Sequence, residues 1–306
     1  MILNVNNETS RLKTVVLGLP NSNGKTPALS ETFDAKSYEA VQKNDYPQET
    51  DIIKEMNAFE QVLKKHGVEV LRPELKTDCN QIFARDIAFC IGDRLIVANT
   101  VEERKEELEP YGKIFSQIAD EKIHRLSPEM HIEGGDVVLY QDFIFVGTCK
   151  DADFDRFKTA RTNKQAIHYL KELFPQKNIV PFELIKHDTD PRNGILHLDC
   201  TFMPVCTNKV IVYKNGFQNE KDYHFIVELF GKENVFEVSQ AEMYFMNPNI
   251  FSIAPDIVVI EQNFTRLGDF LENECGATVE KIPYYEISKM GGLLRCSTMP
   301  LVREKG

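Results

Sequence analysis

The chain has 306 residues, of which 42% are hydrophobic and 27% are charged, and its formal net charge is −11. This composition is that of an ordinary soluble protein, long enough for one large domain or two modest ones. The acidic balance argues against nucleic acid or an anionic membrane as the main partner, and it is compatible with a cationic small molecule.

Cysteine usage predicts a reducing compartment. The seven cysteines form no CxxC pair and show no regular spacing. Cys200 and Cys206 have no matching histidine pair, so the sequence predicts no zinc site. Met1 is followed by no apolar stretch with a cleavage site, and no segment is apolar enough to span a bilayer. We therefore expect a reduced, cytoplasmic protein that does not associate with membranes.

The first third of the chain begins with a strand, a polar segment and a helix. Residues 11–19 form a short β-branched run that predicts a strand. Residues 21–50 are polar with few periodic apolar positions, which indicates a surface excursion or a lid. Residues 51–66 carry apolar side chains at helical spacing, and Gly67 predicts the end of that helix. Residues 68–71 predict a second strand.

A unit of hairpin, helix and strand then recurs. Each hairpin consists of two apolar runs around a short polar turn, and a helical stretch and a short strand follow it. With the first strand, helix and strand, the units number about five, which is within the usual range of repeat lengths. The hairpins are predicted at 89–98, 137–147, 202–213 and 250–261, the helices at 162–174, 220–230 and 262–275, and the strands at 179–184, 235–238 and 277–282.

Repeated units of this size can surround an axis like the blades of a propeller. The alternative is two separate α/β domains. No linker rich in Pro, Gly and Ser divides the chain, so the sequence predicts a single catalytic domain over residues 1–306. The predicted fold class is α/β, with ββαβ-type units arranged as a propeller.

Polar residues interrupt the apolar pattern just before each of the four hairpins, at 80–86, 131–136, 196–199 and 247–249. In a ring of repeats, residues at the same position within each unit lie at the same distance from the axis and at the same level along it. These side chains should therefore converge at one end of the axis. Cys296 completes the set from the last unit. Ionisable groups gathered in one pocket are a candidate functional site.

Each polar group by itself has an ordinary structural interpretation. Asp86 is compatible with a surface ion pair, and Glu133 with a turn carboxylate. His197 and Asp199 alternate and so face the same side of a strand, as a purely structural pair would. His131 competes with His197 for the role of a base. The recurrence of all these clusters at one phase favours the functional interpretation.

Cys296 also has two interpretations. A buried cysteine in a strand is the commoner fate of a single cysteine. Arg295 beside it would favour the thiolate, which is the nucleophilic form. The preceding Gly291 and Gly292 permit backbone conformations closed to other residues and a close approach to the main chain.

A thiolate, an imidazole and three carboxylates suit chemistry on a guanidinium. Three carboxylates in a confined site repel one another unless a cation is present. A metal is one such cation, but oxygen-rich metal sites usually show denser ligand spacing. A planar guanidinium is another, and carboxylates can hold it through paired hydrogen bonds. The thiolate would attack its central carbon and the imidazole would protonate the departing amine, with no cofactor.

At these residues the sequence resembles the guanidino-group modifying enzymes, the superfamily of arginine deiminases, amidinotransferases and dimethylarginine dimethylaminohydrolases. The resemblance runs from residue 15 to 303 and is carried by IEGGD at 132–136, HLDCTF at 197–202 and GGxxRCxxMPL at 291–301. It implies the pentein fold, a five-bladed α/β propeller. The motifs are closest to those of arginine deiminases.

The resemblance implies a role for each member of the set. Cys296 would be the nucleophile, and His197 the general acid and base. Glu133 and Asp199 would complete the catalytic group and, with Asp86, bind the guanidinium.

Two further residues would bind the other end of the substrate. Asn80 resembles the asparagine that helps to hold the amino-acid end in arginine deiminases. Arg161 resembles the family arginine that binds the substrate carboxylate, although a surface arginine at a helix start is the alternative. Arg104 is not assigned, because the alignment slips by a residue or two there.

The sequence thus predicts a cysteine-dependent hydrolase that removes ammonia or an amine from arginine or a related guanidino or ureido compound. The alternative is an amidinotransferase, which shares the covalent half-reaction and passes the amidino group to an amine. A non-catalytic binding protein on the same fold is less favoured, because both Cys296 and His197 are present. The expected partner is a small guanidino molecule, and formation of a homo-oligomer stays open.

Overall fold

The computed structural model describes residues 1–305, in which fifteen strands form five three-stranded sheets. In every sheet a central strand pairs antiparallel with one neighbour and parallel with the other. The strands are β1 (Leu12–Leu17), β2 (Glu69–Leu71), β3 (Ala88–Ile91), β4 (Arg94–Val97), β5 (Ile123–Arg125), β6 (Val137–Tyr140), β7 (Phe143–Thr148), β8 (Asn178–Glu183), β9 (Phe202–Val205), β10 (Lys209–Val212), β11 (Val235–Glu237), β12 (Phe251–Ala254), β13 (Ile257–Glu261), β14 (Thr278–Ile282) and β15 (Thr298–Arg303).

Helices connect the second and third strands of the blades, and short helical turns lie between blades. The α-helices are α1 (Ala35–Gln42), α2 (Glu49–Lys65), α3 (Ala84–Ile87), α4 (Gly112–Phe115), α5 (Asp151–Phe154), α6 (Lys164–Leu173), α7 (Glu220–Phe230), α8 (Gln240–Tyr244), α9 (Thr265–Asn273) and α10 (Tyr285–Ser288). The 3-10 helices are Leu29–Glu31, Glu102–Tyr111, Asp120–Lys122, Gly134–Asp136, Leu198–Cys200, Lys214–Gly216 and Lys232–Asn234.

The first blade closes the ring. Its central strand β1 pairs parallel with β2 and antiparallel with β15, so the two ends of the chain share one sheet. The other four blades are continuous in sequence, in the orders β3-β4-β5, β6-β7-β8, β9-β10-β11 and β12-β13-β14. The prediction of a five-bladed α/β propeller is confirmed.

Helix α2 illustrates how the sequence builds a blade. Its buried face contains Ile52, Met56, Phe59 and Leu63, which lie on one side at a spacing of three or four residues. Acidic residues in its first turn and lysines in its last turn complement the helix dipole. Gly67 follows the helix with φ of +72°, a conformation that ends helices and favours glycine.

The polar segment at residues 21–50 is more than a surface excursion. It contains α1, and its own residues Thr32, Asp34 and Ser37 are buried. Asp34 caps α1 by accepting a hydrogen bond from the Ser37 backbone N–H at 2.8 Å. The segment therefore packs on the end of the ring, as a lid would.

A single helical turn precedes the first strand of several blades and sets the site. α3 precedes β3, Gly134–Asp136 precedes β6, and Leu198–Cys200 precedes β9. α3 contacts the turn at Gly134–Asp136, which in turn contacts Leu198–Cys200. Equal phase in the repeat therefore does bring these turns together. Within the described residues, no helix combines the length and the apolar character that crossing a bilayer requires.

Candidate active site

His197 and Glu133 form the centre of the polar cluster. His197 Nε2 lies 2.8 Å from Glu133 Oε2, and because a carboxylate only accepts, this nitrogen carries the hydrogen. Burial lowers the pKa of His197, but the carboxylates of Asp86, Glu133 and Asp136 outweigh it and raise that pKa above its ordinary value. The contact fixes the ring and leaves Nδ1 for other chemistry.

The second ring nitrogen faces a free carboxylate oxygen. His197 Nδ1 and Asp86 Oδ1 lie 3.8 Å apart, and neither has a hydrogen-bond partner within residues 1–305. A ligand with polar groups beside this pair would give both atoms a partner. Buried polar atoms in folded proteins usually have partners, so this pair marks a place for a ligand.

Cys296 completes the cluster. Its Sγ, a ring nitrogen of His197 and a carboxylate oxygen of Asp199 all lie within 4.8 Å of one another. Sγ also accepts a hydrogen bond from Asn249 Nδ2 at 3.2 Å. The predicted convergence of residues 86, 133, 197, 199 and 296 is therefore present, and these side chains are between 0 and 2% exposed.

The expectation that Arg295 would favour the Cys296 thiolate is wrong for this structure. Burial raises the pKa of Cys296 well above its ordinary value, and the carboxylates of Asp199 and Asp86 add to the effect. The guanidinium of Arg295 points away, to Asp199 Oδ2 at 2.9 Å and Glu8 Oε1 at 2.8 Å. Adjacency in sequence did not reveal that Arg295 neutralises acids rather than the sulfur.

Two more buried arginines neutralise the other carboxylates. Arg161 Nη1 donates to both oxygens of Glu133 at 3.0 Å, and Arg104 Nη1 donates to Asp86 Oδ2 at 2.8 Å. Although burial opposes it, the charge of Arg161 holds the pKa of Glu133 well below its usual range. Arg161 is 2% exposed, so the alternative of a surface arginine is excluded. Asp86 Oδ1 is left as the free acceptor.

Phe33 covers these arginines from the lid segment. Its carbonyl oxygen accepts a hydrogen bond from Arg161 Nη2 at 2.5 Å. Its ring centre lies 5.5 Å from the guanidinium carbon of Arg104 and 5.6 Å from that of Arg161, within the range of cation–π attraction. The cluster beneath is buried under this cover.

Gly135 allows the turn at Gly134–Asp136 to lie close to His197, the candidate catalytic histidine. A Cβ atom at this position would lie 2.6 Å from the His197 ring, closer than side chains tolerate. Asp136, the last residue of the same motif, accepts from the Leu198 backbone N–H at 3.0 Å and from Thr162 Oγ1 at 2.6 Å. The motif thus fixes the turn that carries His197.

Two predicted residues stand apart from the cluster. Asn80 Oδ1 accepts from the Ile82 backbone N–H at 3.1 Å, and within the described chain Asn80 forms no hydrogen bond with Asp86, Glu133 or Asp199. His131, the rival base, has Nδ1 3.2 Å from the Asn99 carbonyl oxygen and packs on Phe154. It takes no part in the cluster around Cys296.

Sequence reasoning assigned no role to Asn249, Arg104 or Glu8. Asn249 lies at the same phase of its unit as the other polar groups, and that signal was present in the sequence. Arg104 occupies a 3-10 helix without a motif, and Glu8 precedes β1. Arg104 lies where the alignment with the family slips, and Glu8 is 287 residues from Arg295 along the chain, so neither contact was predicted.

The geometry also admits a metal ion. Ligand atoms of Asp86, Glu133 and His197 lie within 4.8 Å of one another, as do those of His197, Asp199 and Cys296. Both sets share His197. The cluster therefore suits a cation, either a metal or the guanidinium predicted from the sequence.

Comparison with solved structures defines the class. The N-terminal domain of ArgZ, an arginine dihydrolase from the ornithine-ammonia cycle in cyanobacteria, matches with a TM-score of 0.78 and 16% identity over 95% of this chain and 97% of its own. SxtG, an amidinotransferase from Microseira wollei, matches with a TM-score of 0.74 and 17% identity, over 99% of this chain and 98% of SxtG. AgrE, solved with ornithine and NAD+, matches with 0.77 and 16% over 96% of this chain, which spans 40% of AgrE. These likenesses establish the pentein fold.

The chain belongs to the family described as N,N dimethylarginine dimethylhydrolase, eukaryotic, whose sequence model matches residues 26–303. The uncharacterized protein YkgA of Bacillus subtilis (strain 168) is 28% identical over 245 residues, 79% of this chain and 77% of YkgA. An arginine deiminase of Streptococcus pneumoniae (strain CGSP14) is 25% identical over 262 residues, 74% of this chain and 61% of the deiminase. The predicted membership among guanidino-group modifying enzymes, which are hydrolases or amidinotransferases, is confirmed.

Proposed function

We propose that this protein is a hydrolase of guanidino compounds that uses Cys296 as its nucleophile and forms a covalent thiouronium intermediate. The observation that carries the proposal is the meeting of the Cys296 sulfur, the His197 imidazole and the Asp199 carboxylate within 4.8 Å in a buried site. The substrate is arginine or a close relative, including N-methylated arginines and ureido compounds.

The free pair of atoms orients the substrate. A guanidinium N–H donates to Asp86 Oδ1, and the nitrogen that will leave lies against His197 Nδ1. Asp199 and Glu133 supply further negative charge around the cation. This arrangement holds the central carbon near Sγ and converts a bimolecular step into a positioned one.

Substrate binding itself activates the thiol. Burial and the nearby carboxylates raise the pKa of Cys296, so the side chain is a thiol before the substrate arrives. A guanidinium beside the sulfur favours the thiolate by its positive charge. The hydrogen bond from Asn249 Nδ2 stabilises the same form.

The covalent steps follow from these positions. The Cys296 thiol passes its proton to His197, the thiolate attacks the guanidinium carbon, and His197 delivers that proton to the departing nitrogen, so that ammonia or an amine leaves. The same imidazole, now neutral, accepts a proton from water as it attacks the thiouronium carbon. The C–S bond breaks, the sulfur takes up the second proton of the attacking water and returns to the thiol, and a ureido product leaves.

An amidinotransferase would use the same first half-reaction. There the leaving group is the alkylamine of arginine, and an acceptor amine replaces water. Family membership supports the hydrolase, because the family carries the name of a hydrolase. Likeness to SxtG supports the fold that both reactions share.

The test is incubation of the purified protein with arginine, methylated arginines and citrulline, with products separated by chromatography. Hydrolysis of the bond between the guanidinium carbon and a terminal nitrogen of arginine gives ammonia and citrulline without any acceptor amine. Release of ornithine that requires an added amine would overturn the hydrolase in favour of the transferase. Acid quenching followed by intact-protein mass measurement identifies the adduct.

The adduct distinguishes the two reactions directly. A deiminase traps arginine less ammonia on Cys296, whereas a transferase traps only the amidino group. Cys275→Ser is the matched control, since this cysteine lies outside the cluster and is partly exposed. Absence of any adduct and of turnover with every guanidino compound would contradict the proposal.

A further inference from the structure

We propose that Asp34 forms a subsite for a primary ammonium group on the tail of the substrate, separate from the acids that hold the guanidinium. The proposal rests on the function proposed above and adds a specificity-determining residue to it. The substrate class is then a guanidino compound that carries an amine, such as arginine or a decarboxylated relative.

Asp34 is a buried carboxylate with one oxygen unused. The residue is 3% exposed, and its Oδ1 accepts the capping hydrogen bond from the Ser37 N–H. Its Oδ2 has no hydrogen-bond partner among residues 1–305. A buried acceptor without a partner is costly, so its retention at this place points to a donor that arrives with the ligand.

The surroundings of Asp34 leave room for a small cation. A cavity of about 30 Å³ is lined by Asp34, Thr159 and His187, with apolar walls from Leu196 and Met243. This space is enough to hold a water molecule, and an ammonium group has similar size. Among these lining groups, only Asp34 is an acid.

Gly291 brings the loop before Cys296 against the same carboxylate. It has φ of +90°, and a Cβ at this position would lie 2.4 Å from Asp34 Oδ1. The cavity is also lined by Leu196 and Cys200, the neighbours of His197 and Asp199. The ammonium subsite thus lies beside residues that are next to His197 and Asp199 in the chain.

The lid connects the two subsites. Phe33, next to Asp34, binds Arg161 through its carbonyl oxygen. Opening of this segment admits the substrate, and closing returns Asp34 to the cavity with its Oδ2 facing the new donor. An ammonium at Asp34 would therefore stabilise the closed lid over the reacting groups.

Lys36 is the competing interpretation. Its ammonium lines the same cavity, and a change of side-chain conformation would let it pair with Asp34. In the structure, however, Nζ donates to the Tyr244 carbonyl oxygen at 3.4 Å and lies 3.7 Å from the centre of the Tyr244 ring. Lys36 thus already has partners, and the free oxygen of Asp34 is left for the substrate.

The experiment compares three substrates in wild type and Asp34→Asn. Arginine and agmatine carry the ammonium, and 5-guanidinopentanoate lacks it. Asn keeps the helix cap, so folding is preserved, and Asp34→Ser provides a second capping variant. We expect KM to rise about tenfold or more, equal to about 1.4 kcal/mol, for the two amines and to stay unchanged for 5-guanidinopentanoate. Asp45→Asn, an exposed acid of the same segment, is the matched control.

The outcomes separate the two proposals. Equal losses with all three substrates, or no loss with any, would remove the subsite and leave the function standing. If wild type acts neither on these three compounds nor on methylated arginines, and Cys296→Ser binds none of them, both proposals fail together. Lys36→Met and Asp34→Asn could instead lose equal thermal stability with no change in substrate preference. That result would show that Asp34 is the ion-pair partner of Lys36 and does not bind substrate.

Discussion

The side chain of Asn249 brackets Cys296 from two sides. Asn249 Nδ2 donates to the sulfur at 3.2 Å, and Oδ1 accepts from the Cys296 backbone N–H at 3.2 Å. The Asn249 amide therefore holds the backbone of Cys296 in place and presents a hydrogen-bond donor to its sulfur. A hydrogen bond to the charged form lowers the free energy of a thiolate relative to the thiol.

Removal of this amide should slow chemistry at the sulfur. Asn249→Asp places a second acid beside Cys296, so we expect a higher thiol pKa and a fall in kcat of about a hundredfold or more. Asn249→Leu removes the hydrogen bonds without adding charge and should give a smaller fall. The rate of alkylation of Cys296 by iodoacetamide, measured against pH, reports the pKa directly. Asn215→Leu, on an exposed turn, should behave as wild type.

Cys296→Ser should fold normally and lose turnover. The hydroxyl fits the space of the thiol, but it is a far weaker nucleophile at neutral pH. Circular dichroism and the thermal midpoint check the fold, and product formation checks the activity. Rates equal to wild type in this variant would remove Cys296 from the mechanism.

Asp136→Asn should move the pH profile. The carboxylate of Asp136 is one of the groups that raise the pKa of His197, and Asn keeps an acceptor for the Leu198 N–H. Loss of the charge lowers that pKa, so the limb of kcat/KM that follows the histidine moves to lower pH by up to about one unit. Since Cys296 and His197 titrate as a coupled pair, the shift belongs to the pair. An unshifted profile with lowered stability would reduce Asp136 to a structural role, and Asp142→Asn is the exposed control.

Glu8→Gln should destabilise the ring where its ends meet. Burial alone would raise the pKa of Glu8, but Arg295, Arg85 and Arg303 lower it to about 2. Leaving these buried guanidinium groups without their acid should reduce the free energy of unfolding by about 3–5 kcal/mol. Urea unfolding measures the change, and Glu304→Gln, in an exposed ion pair with Lys13, is the control.

The same residue gives a signed dependence on pH. The folded pKa of Glu8 lies below the ordinary value of 4.5, so its stabilisation is present above pH 4.5 and is lost as the pH falls toward 2. Wild type should therefore lose stability over this window more steeply than Glu8→Gln. Parallel curves for the two proteins would contradict the assignment.

A chelator should leave activity unchanged. The proposed cation of the acid cluster is the substrate guanidinium, which needs no metal to hold it. The measurement is turnover after dialysis against EDTA, with and without added zinc or magnesium. Inactivation by EDTA that is reversed by one metal would favour the metal interpretation of the same ligand sets.

Much of the fold was readable because its signals are local. The hairpin at 250–261 appears as β12 and β13, and the helix predicted at 220–230 coincides with α7. Alternation, helical spacing and turn residues act over a few positions, so one sequence carries them. The phase of the polar clusters then predicted which side chains meet, because a repeat converts position in the chain into position around an axis.

The sequence by itself determined the repeat, the family and the group of residues from Asp86 to Cys296 that gather at one end. Only the tertiary structure decided which acid pairs with which arginine, and so which oxygen stays free. Arg295 turns to Asp199 and Glu8, Arg161 to Glu133, and Arg104 to Asp86. These pairings join residues far apart in the chain, and side-chain direction inside a closed ring is set by packing and charge compensation, which no local pattern records.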